Sequence, residues 1–234
     1  MDDEVSLLIQ DRLEKAVNYN RWVFETVRPY LGRRILDVGC SVGNITRLFV
    51  EHGVDLVIGV DANAQAVERI NWTLGPLGCF RGLCLDAAEL DPTMFAAEKI
   101  DTVSCLNVLE HIEDDLRLLQ AFYATLVNSG RLILLVPALQ ALYGSMDIAD
   151  HHYRRYSRAG LSDLIREAGF RIDRMFYMNL VGIVGWLMNG RLLKRKLIPE
   201  KQLQVFDRMI PLLRRIERLM PPPIGQSLVA IGVK

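Results

Sequence analysis

Residues 33–44 read Arg33-Arg-Ile-Leu-Asp-Val-Gly-Cys-Ser-Val-Gly-Asn44. A short apolar run ends at Gly39, and a second glycine, Gly43, follows where a helix is expected to start. A strand, a tight glycine turn and a helix in this order are typical of the first unit of an open α/β sheet, which binds ligands at the carboxyl ends of its strands. We therefore expect residues 33–39 to form a first strand and residues 43–51 a first helix.

The rest of the chain continues the same alternation. Near-continuous apolar runs predict further strands at 55–61, 79–84, 100–106, 131–136, 170–178 and 227–233. Helical spacing of apolar residues predicts helices at 4–28 (one or two), 63–73, 112–127, 157–168, 182–196 and 200–219. Continuous rather than alternating apolar strands indicate a parallel sheet buried on both faces. The sequence thus predicts an α/β fold with a doubly wound, seven-stranded, mostly parallel sheet.

The composition is that of an ordinary globular protein. The chain has 234 residues, with 28 basic and 28 acidic side chains, and residues 1–234 are expected to form a single domain. Residues 1–150 carry 12 basic and 22 acidic side chains, whereas residues 151–234 carry 16 and 6. The absence of a net positive charge argues against a nucleic-acid partner. The four cysteines form no C-x-x-C pair, and the N-terminus is acidic, so a reduced, cytoplasmic protein is expected.

Three ligand chemistries fit the glycine turn. A dinucleotide pyrophosphate needs G-x-G-x-x-G, but Ser41 and Asn44 occupy two of these glycine positions, and Asp37 would lie beside the phosphates. A hydrolase elbow, G-x-S-x-G, matches the letters with Ser41 as nucleophile. Such an elbow usually follows several strands, whereas only 40 residues precede Ser41.

The third ligand is S-adenosylmethionine, a sulfonium that carries an amino-acid tail and no phosphate. Asp37 at the end of the first strand suits the ammonium group of this ligand. Asp61 ends the second strand and is placed to accept hydrogen bonds from ribose hydroxyls, a role that carboxylates fill for other nucleosides. Asp86 follows the third strand and offers an acceptor for the adenine amino group.

The chain resembles the class I S-adenosylmethionine-dependent methyltransferases, in particular the bacterial, small-molecule branch. The resemblance rests on the first loop, Gly59-Val60-Asp61, Val108-Leu-Glu-His-Ile112, Asn128-Ser-Gly-Arg131 and Ala168-Gly-Phe170. It implies a Rossmann-like fold whose last strand is antiparallel, with N-terminal lid helices in 1–30, a cofactor-binding core in 31–137 and an acceptor side in 138–234. S-adenosylmethionine is the implied cofactor and S-adenosylhomocysteine its product. The implied cofactor-binding residues are Asp37, Gly39, Gly43, Asp61, Ala62, Asp86, Ala87, Asn107 and Tyr19.

The segment 143–156 is dense in chemically active side chains and follows the fifth strand, so it lies over the ligand-binding edge. A histidine beside an aspartate makes a good general base, which gives His151, His152 and Asp147 as candidate catalytic residues. Arginines suit an anionic acceptor. The candidate acceptor-binding residues are Tyr143, Asp150, Arg154, Arg155, Tyr156 and Trp186. The same His/Asp set resembles metal ligands, but methyl transfer from a sulfonium needs no metal, and none is predicted.

Two basic amphipathic stretches within 182–218 form a predicted helical cap between strands six and seven. An alternative is that they rest on anionic lipid as interfacial helices. The leading hypothesis is a small-molecule methyltransferase, acting on oxygen by in-line transfer with a histidine base. One alternative is a membrane-peripheral enzyme whose acceptor is lipid-linked, phosphorylated or isoprenoid. Another is a cofactor-binding scaffold without catalysis.

Overall fold

The sheet is built from seven strands within residues 14–234, the part of the chain that this computed structural model describes. The strands are β1 Arg34–Val38, β2 Leu56–Asp61, β3 Phe80–Cys84, β4 Thr102–Leu106, β5 Arg131–Pro137, β6 Arg171–Met178 and β7 Ser227–Val233. Their order is β3-β2-β1-β4-β5-β7-β6. Strands β1 to β5 pair in parallel, and β7 is antiparallel to both neighbours. The predicted fold class is therefore confirmed.

The register aligns the chemically important strand ends. Asp37 lies opposite Gly59 on β2 and Ser104 on β4. The loops that follow β1, β2, β3, β4 and β5 therefore all leave from one edge of the sheet, as expected for parallel strands joined by crossovers. This edge is called the carboxyl edge below.

Helices cover both faces of the sheet. They are α1 Val17–Val27, α2 Thr46–Glu51, α3 Ala64–Leu74, α4 Asp115–Thr125, α5 Ser145–Ala149, α6 Arg158–Glu167, α7 Leu180–Trp186 and α8 Glu200–Leu219. One core cluster packs α4 and α6 against the sheet, and the other packs α1, α3 and α8 against the opposite face. The residues of β1, β2, β4 and β5 are almost all buried, which explains the unbroken apolar runs of these strands.

Several helices begin at other residues than the sequence predicts. The helix expected at 43–51 starts only at Thr46, because the turn at Gly43 continues to that point. The helix expected at 112–127 starts at Asp115, where Asp114 caps it through a bond from Arg117 N. The helix expected at 182–196 starts at Leu180 and widens into a π-helix, Leu187–Leu192. The helix expected at 4–28 appears as α1, and its part before residue 14 lies outside the described residues.

The cap between β6 and β7 consists of α7, the π-helix and α8. Asp207 on α8 accepts hydrogen bonds from the backbone of α1, including Tyr19 N at 2.9 Å. Glu217 on α8 accepts bonds from Asn179 N and Leu180 N, which start α7. These buried or half-buried carboxylates tie the N-terminal helix and both cap helices together. Within residues 14–234, no helix is long and apolar enough to cross a membrane.

Candidate active site

The first loop is shaped by two glycines in the left-handed region. Gly39 has φ +76° and Gly43 has φ +89°. A Cβ atom on Gly39 would lie 2.1 Å from Val108 Cγ2, so the loop after β4 presses directly on this turn. Only glycine combines this backbone with this close approach. The turn therefore leaves backbone, rather than side chains, facing the carboxyl edge.

Asp37 is a buried carboxylate at the end of β1. Its Oδ2 accepts a hydrogen bond from Thr46 Oγ1 at 2.7 Å. Burial raises the pKa of Asp37 to about 6, against the favourable bond from Thr46 and with a further increase from the charge of Asp61. The side chain is only 4% exposed. A buried carboxylate whose charged form is disfavoured by burial is a suitable partner for a cationic ligand group.

Asp61, at the end of β2, supports the loop from its other side. Its Oδ2 accepts a bond from Ser41 N at 2.8 Å and its Oδ1 one from Asn63 N at 2.9 Å. Each carboxylate oxygen can accept more than one bond, so capacity for ligand hydroxyls remains. Ser41 has φ +48°, and its hydroxyl is buried without a partner among the described residues.

The remaining expected cofactor positions extend along the same edge. Ala62, Asp86 and Asn107 are exposed, and Ala87 is half-buried. Asp86 accepts a bond from Ala88 N at 2.9 Å, which fixes its carboxylate. A cavity of about 330 Å³ adjoins Asp86 and also reaches His111. Of the three carboxylates expected for the cofactor, Asp37 and Asp61 thus lie at the carboxyl ends of β1 and β2, and Asp86 follows the adjacent strand β3.

Tyr19 approaches the site from α1. Burial raises the pKa of its phenol. The backbone of Tyr19 is held by Asp207, so α1 and the cap meet here. A cofactor-binding role for Tyr19 stays a prediction.

Asp147 is the centre of the predicted acceptor segment. It lies on the short helix α5 and is fully buried. It accepts bonds from Arg155 Nε at 2.7 Å, His152 Nδ1 at 3.1 Å, Trp186 Nε1 at 3.1 Å and Gly144 N at 2.9 Å. Burial alone would raise the pKa of Asp147, but these donors outweigh it and hold the pKa below its usual value.

The two adjacent histidines have different environments. His151 is exposed with φ +57°, whereas His152 is buried. His152 Nδ1 faces Asp147, and its Nε2 lies 3.1 Å from Asp150 Oδ2. Burial would lower the pKa of His152, but these two carboxylates raise it overall. The structure therefore distinguishes two residues that the sequence left equivalent.

Other predicted acceptor residues are engaged within the protein. Arg154 bonds Asp115 Oδ2 at 2.8 Å, and the hydroxyl of Tyr156 donates to the same oxygen at 2.9 Å. Tyr143 donates to the carbonyl of His152 at 2.6 Å. These contacts fix the shape of the segment, and acceptor binding by these three side chains stays a prediction.

Arg155 and Trp186 form the inner wall of the segment. The guanidinium of Arg155 stacks 4.6 Å from the ring centre of Trp186, and its Nη1 donates to Ala138 O at 3.0 Å. Its Nη2 is buried and has no hydrogen-bond partner among the described residues. Trp186 belongs to α7, so the cap is joined directly to the segment after β5.

Glu110 and His111 belong to the site but are absent from the predicted acceptor set. Glu110 is 1% exposed, and burial raises its pKa to about 7. The ring of His111 lies 4.6 Å from the ring of His152, edge to face. Burial lowers the pKa of His111 to about 4, and the charge of His152 acts in the same direction. The sequence feature that could have identified Glu110 and His111 as site residues is their position directly after β4, at the carboxyl edge.

Some buried polar atoms near the strand ends are unpaired among the described residues. Four buried side-chain atoms lack a hydrogen-bond partner within residues 14–234: Ser41 Oγ, Ser104 Oγ, Glu110 Oε2 and Arg155 Nη2. Buried polar groups are normally paired. Ser104 lies within β4, whereas Ser41, Glu110 and Arg155 follow β1, β4 and β5, respectively.

Comparison with known proteins gives the methyltransferase family that the sequence motifs resemble. A family model described as a methyltransferase domain matches residues 8–174. A ubiquinone biosynthesis O-methyltransferase of Neisseria meningitidis is 26% identical over 159 residues, which cover 60% of this chain and 65% of that protein. The chain thus spans just under two thirds of this relative's length.

Solved structures share the fold at low sequence identity. An S-adenosylmethionine-dependent methyltransferase from Mesorhizobium loti superimposes with a TM-score of 0.62 at 16% identity, covering 90% of this chain and 96% of that one. A second such methyltransferase, from Archaeoglobus fulgidus, has a TM-score of 0.60 at 24% identity and covers 92% and 94%. These similarities concern the fold.

Proposed function

Because this chain belongs to the methyltransferase domain family, whose methyl donor is S-adenosylmethionine, we propose that it transfers a methyl group to an oxygen atom of a small, partly apolar acceptor. The observation that carries the proposal is the row of Asp37, Asp61 and Asp86 at adjacent strand ends beside the glycine turn. These acids hold the ammonium, the ribose hydroxyls and the adenine amino group, respectively.

The acceptor lies between the loop after β4 and the segment after β5. Transfer is an in-line displacement: the acceptor oxygen forms a bond to the methyl carbon, the carbon–sulfur bond breaks, and its electron pair stays on sulfur. The hydroxyl proton leaves to solvent at the carboxyl edge, where Glu110, His111 and His152 lie together. Positioning supplies most of the acceleration, because the two reactants are held in one orientation.

An oxygen acceptor is supported by the relatives named as ubiquinone biosynthesis O-methyltransferases. His152 carries a carboxylate on each ring nitrogen, which makes it a positioning and charged group rather than a free base. His151, at the surface, keeps its predicted role only if the segment closes on the acceptor. The proposed partner of an acceptor oxygen is Arg155, because its buried Nη2 has no hydrogen-bond partner among the described residues.

Calorimetric titration with S-adenosylhomocysteine tests the cofactor site first. Micromolar binding is expected for the wild type, with a loss of at least tenfold in Asp61→Ala. The control is Asp173→Asn, an exposed carboxylate on the edge strand β6. Absence of binding to the wild type would overturn the proposal.

Methyl-labelled cofactor and a panel of phenols, with and without an isoprenoid chain, test the transfer. Label on oxygen supports the proposal, and label on nitrogen or carbon contradicts it. Tight cofactor binding with no transfer to any acceptor, in the wild type and in His152→Gln alike, is the result expected of a non-catalytic scaffold.

A second candidate concerns location: docking of the cap on an anionic membrane surface. The supporting observation is an apolar stripe on α8 that faces solvent. The stripe consists of Val205, Met209, Leu212, Ile216 and Leu219, which are 43–83% exposed. The opposite side of α8, with Ile210 and Leu213, packs on the core.

Charge complements this stripe. Exposed basic side chains lie beside it and on the segment before α8: Arg191, Lys194, Arg195, Lys196, Arg208 and Arg215. An apolar stripe with a basic border is the pattern of a helix that lies in the plane of an anionic bilayer. Such docking would present a lipid-linked acceptor to the cap that covers the site.

Flotation with liposomes tests this location. Binding is expected to vesicles of phosphatidylglycerol, to weaken between 0.1 and 0.5 M salt, and to fall at least tenfold in Leu212→Ser/Leu219→Ser. Vesicles of phosphatidylcholine are the lipid control. If the wild type fails to float, or if it forms a dimer that the same two changes dissolve, membrane docking is excluded.

A further inference from the structure

Three potential metal ligands meet where the acceptor's proton must leave. Glu110 and His111 lie in the turn after β4, and His152 ends the segment after β5. Each offers one ligand atom, and these atoms all lie within 4.8 Å of one another. Two imidazoles and one carboxylate form a donor set that binds divalent transition metals.

The ring of His152 is already oriented as metal ligands are. His152 Nδ1 bonds the buried carboxylate of Asp147, so Nε2 is the nitrogen turned away from it. The ring of His111 lies edge to face against the ring of His152, with the ring centres 4.6 Å apart. Metal-bound histidines almost always bond a carboxylate or carbonyl through their second ring nitrogen, which fixes tautomer and ring direction.

Glu110 supplies an independent observation. Its Oε2 is buried and has no hydrogen-bond partner in the described part of the chain. Its own carbonyl is held by Tyr153 N at 2.8 Å, so the turn is attached to the acceptor segment. A buried carboxylate oxygen without a donor is costly, and a cation between this oxygen and the two imidazoles removes that cost.

Three protein ligands leave one position free for the acceptor. Ligands of one ion at about 2.0–2.2 Å lie roughly 3–3.5 Å apart in tetrahedral geometry, and the three ligand atoms, which lie within 4.8 Å of one another, approach this spacing through small side-chain rotations. The fourth tetrahedral position then stays open, as it does in catalytic metal sites. Asp150 Oδ2, which lies 3.1 Å from His152 Nε2 and is partly exposed, gives up this hydrogen bond when Nε2 binds the ion.

We propose that Glu110, His111 and His152 bind one divalent transition-metal ion, of the Zn²⁺, Co²⁺, Fe²⁺ or Mn²⁺ type. The inference rests on the proposed methyl transfer and deepens it. The ion binds the acceptor hydroxyl and lowers its pKa, as metals do for bound water. The proton leaves to solvent, and the resulting oxyanion attacks the methyl group. The prediction of no metal from sequence considered only the donor's chemistry, whereas this ion serves the acceptor.

Metal binding is measured directly, without acceptor or turnover. Chelator-treated protein is titrated with Zn²⁺ in a calorimeter and with Co²⁺ in a spectrophotometer, where bound Co²⁺ of low coordination number absorbs visibly. The expected result is one ion per chain with micromolar or tighter affinity. Glu110→Gln and His152→Gln are each expected to weaken binding at least 100-fold, and His151→Ala, the exposed neighbour, less than threefold.

Binding of S-adenosylhomocysteine is measured on the same samples. A wild type that binds the nucleoside but no metal tighter than millimolar overturns this inference and leaves the methyl-transfer proposal intact. A wild type that binds neither the nucleoside nor the metal overturns both the metal site and the methyl-transfer proposal. Zn²⁺ binding that is unchanged in both glutamine variants also overturns it, because the ion is then elsewhere. Since Gln preserves the shape of Glu110, nucleoside binding in that variant verifies its fold.

Discussion

Replacement of Asp37 by Asn separates the stability of the empty protein from its affinity for the cofactor. Asp37 is buried, its Oδ2 accepts a bond from Thr46, and the charge of Asp61 is nearby. Its pKa rises from an ordinary 3.8 to about 6, chiefly through burial. The folded protein thus binds this proton more tightly than the unfolded chain does, and the ionised carboxylate weakens folding.

The size of the effect follows from linkage. A rise from 3.8 to about 6 corresponds to about 3 kcal/mol of unfolding free energy. The contribution of Asp37 is most favourable below pH 3.8 and is lost as the pH rises through about 6. Asp37→Asn keeps the neutral shape at all pH values. It is therefore expected to stabilise the empty protein by about 2–3 kcal/mol at pH 8 and by almost nothing at pH 4.

Urea unfolding of wild type and Asp37→Asn between pH 4 and 8 measures this difference, with Asp173→Asn as the exposed control. Cofactor affinity is expected to change in the opposite direction. S-adenosylhomocysteine brings an ammonium group, so wild-type binding strengthens as the pH rises through about 6, and Asp37→Asn loses at least tenfold at pH 8. A variant that is less stable than wild type at pH 8, or one that binds the nucleoside equally well, would refute the argument.

The remaining predictions concern the turn and the buried hub. Gly39→Ala is expected to lower the free energy of unfolding by about 2–4 kcal/mol and to abolish nucleoside binding, because the new Cβ would lie 2.1 Å from Val108 in a left-handed backbone. The control is Gly53→Ala, where the backbone is also left-handed but no atom of the described residues lies near the new Cβ, and the expected loss is only about 1 kcal/mol. Asp147→Asn leaves the Arg155 cation buried without its counter-ion, and we expect a loss of about 3 kcal/mol in urea unfolding. If the double change Asp147→Leu/Arg155→Met is not more stable than that single variant, the ion pair is not the source of the loss.

The sequence was sufficient for the fold because each strand has its own local signal. Buried parallel strands have unbroken apolar runs, and glycines mark the turns that follow them. The helix ends were predicted less well. The start of α2 follows the turn at Gly43, and α7 continues into a π-helix that contains Asn189, whose Oδ1 accepts a hydrogen bond from Arg195. Neither is visible in local periodicity.

The position of the three carboxylates expected to bind the cofactor was predictable for the same reason, and their binding roles stay predictions. Asp37, Asp61 and Asp86 each follow a recognisable strand, and parallel strands bring their carboxyl ends to one edge. The order of the strands along the chain therefore places these acids beside one another before any contact is known. The structure adds their burial and partners, which explain the raised pKa of Asp37.

The acceptor side was not predictable at the level of individual residues. Sequence reasoning treated His151 and His152 alike, because their neighbours in the chain are the same. Their difference comes from Asp147 and from Trp186, which lies 39 residues from Asp147 and reaches it only through the cap. Long-range contacts of this kind are set by packing between elements, which no local pattern encodes.

These contacts connect the cap to the chemistry. Asp147 bonds Trp186 of α7 through one oxygen and His152 through the other. A shift of α7 on binding an acceptor or a lipid surface would therefore move His152 relative to His111, whose rings are 4.6 Å apart. Since a metal ion tolerates only small changes in ligand spacing, the affinity for the ion proposed above is expected to depend on the position of the cap. Trp186→Phe removes the bond to Asp147 but keeps an aromatic ring against Arg155. It is expected to weaken Co²⁺ binding about tenfold while leaving nucleoside binding within twofold, and equal loss of both would show that the cap acts on the whole edge instead.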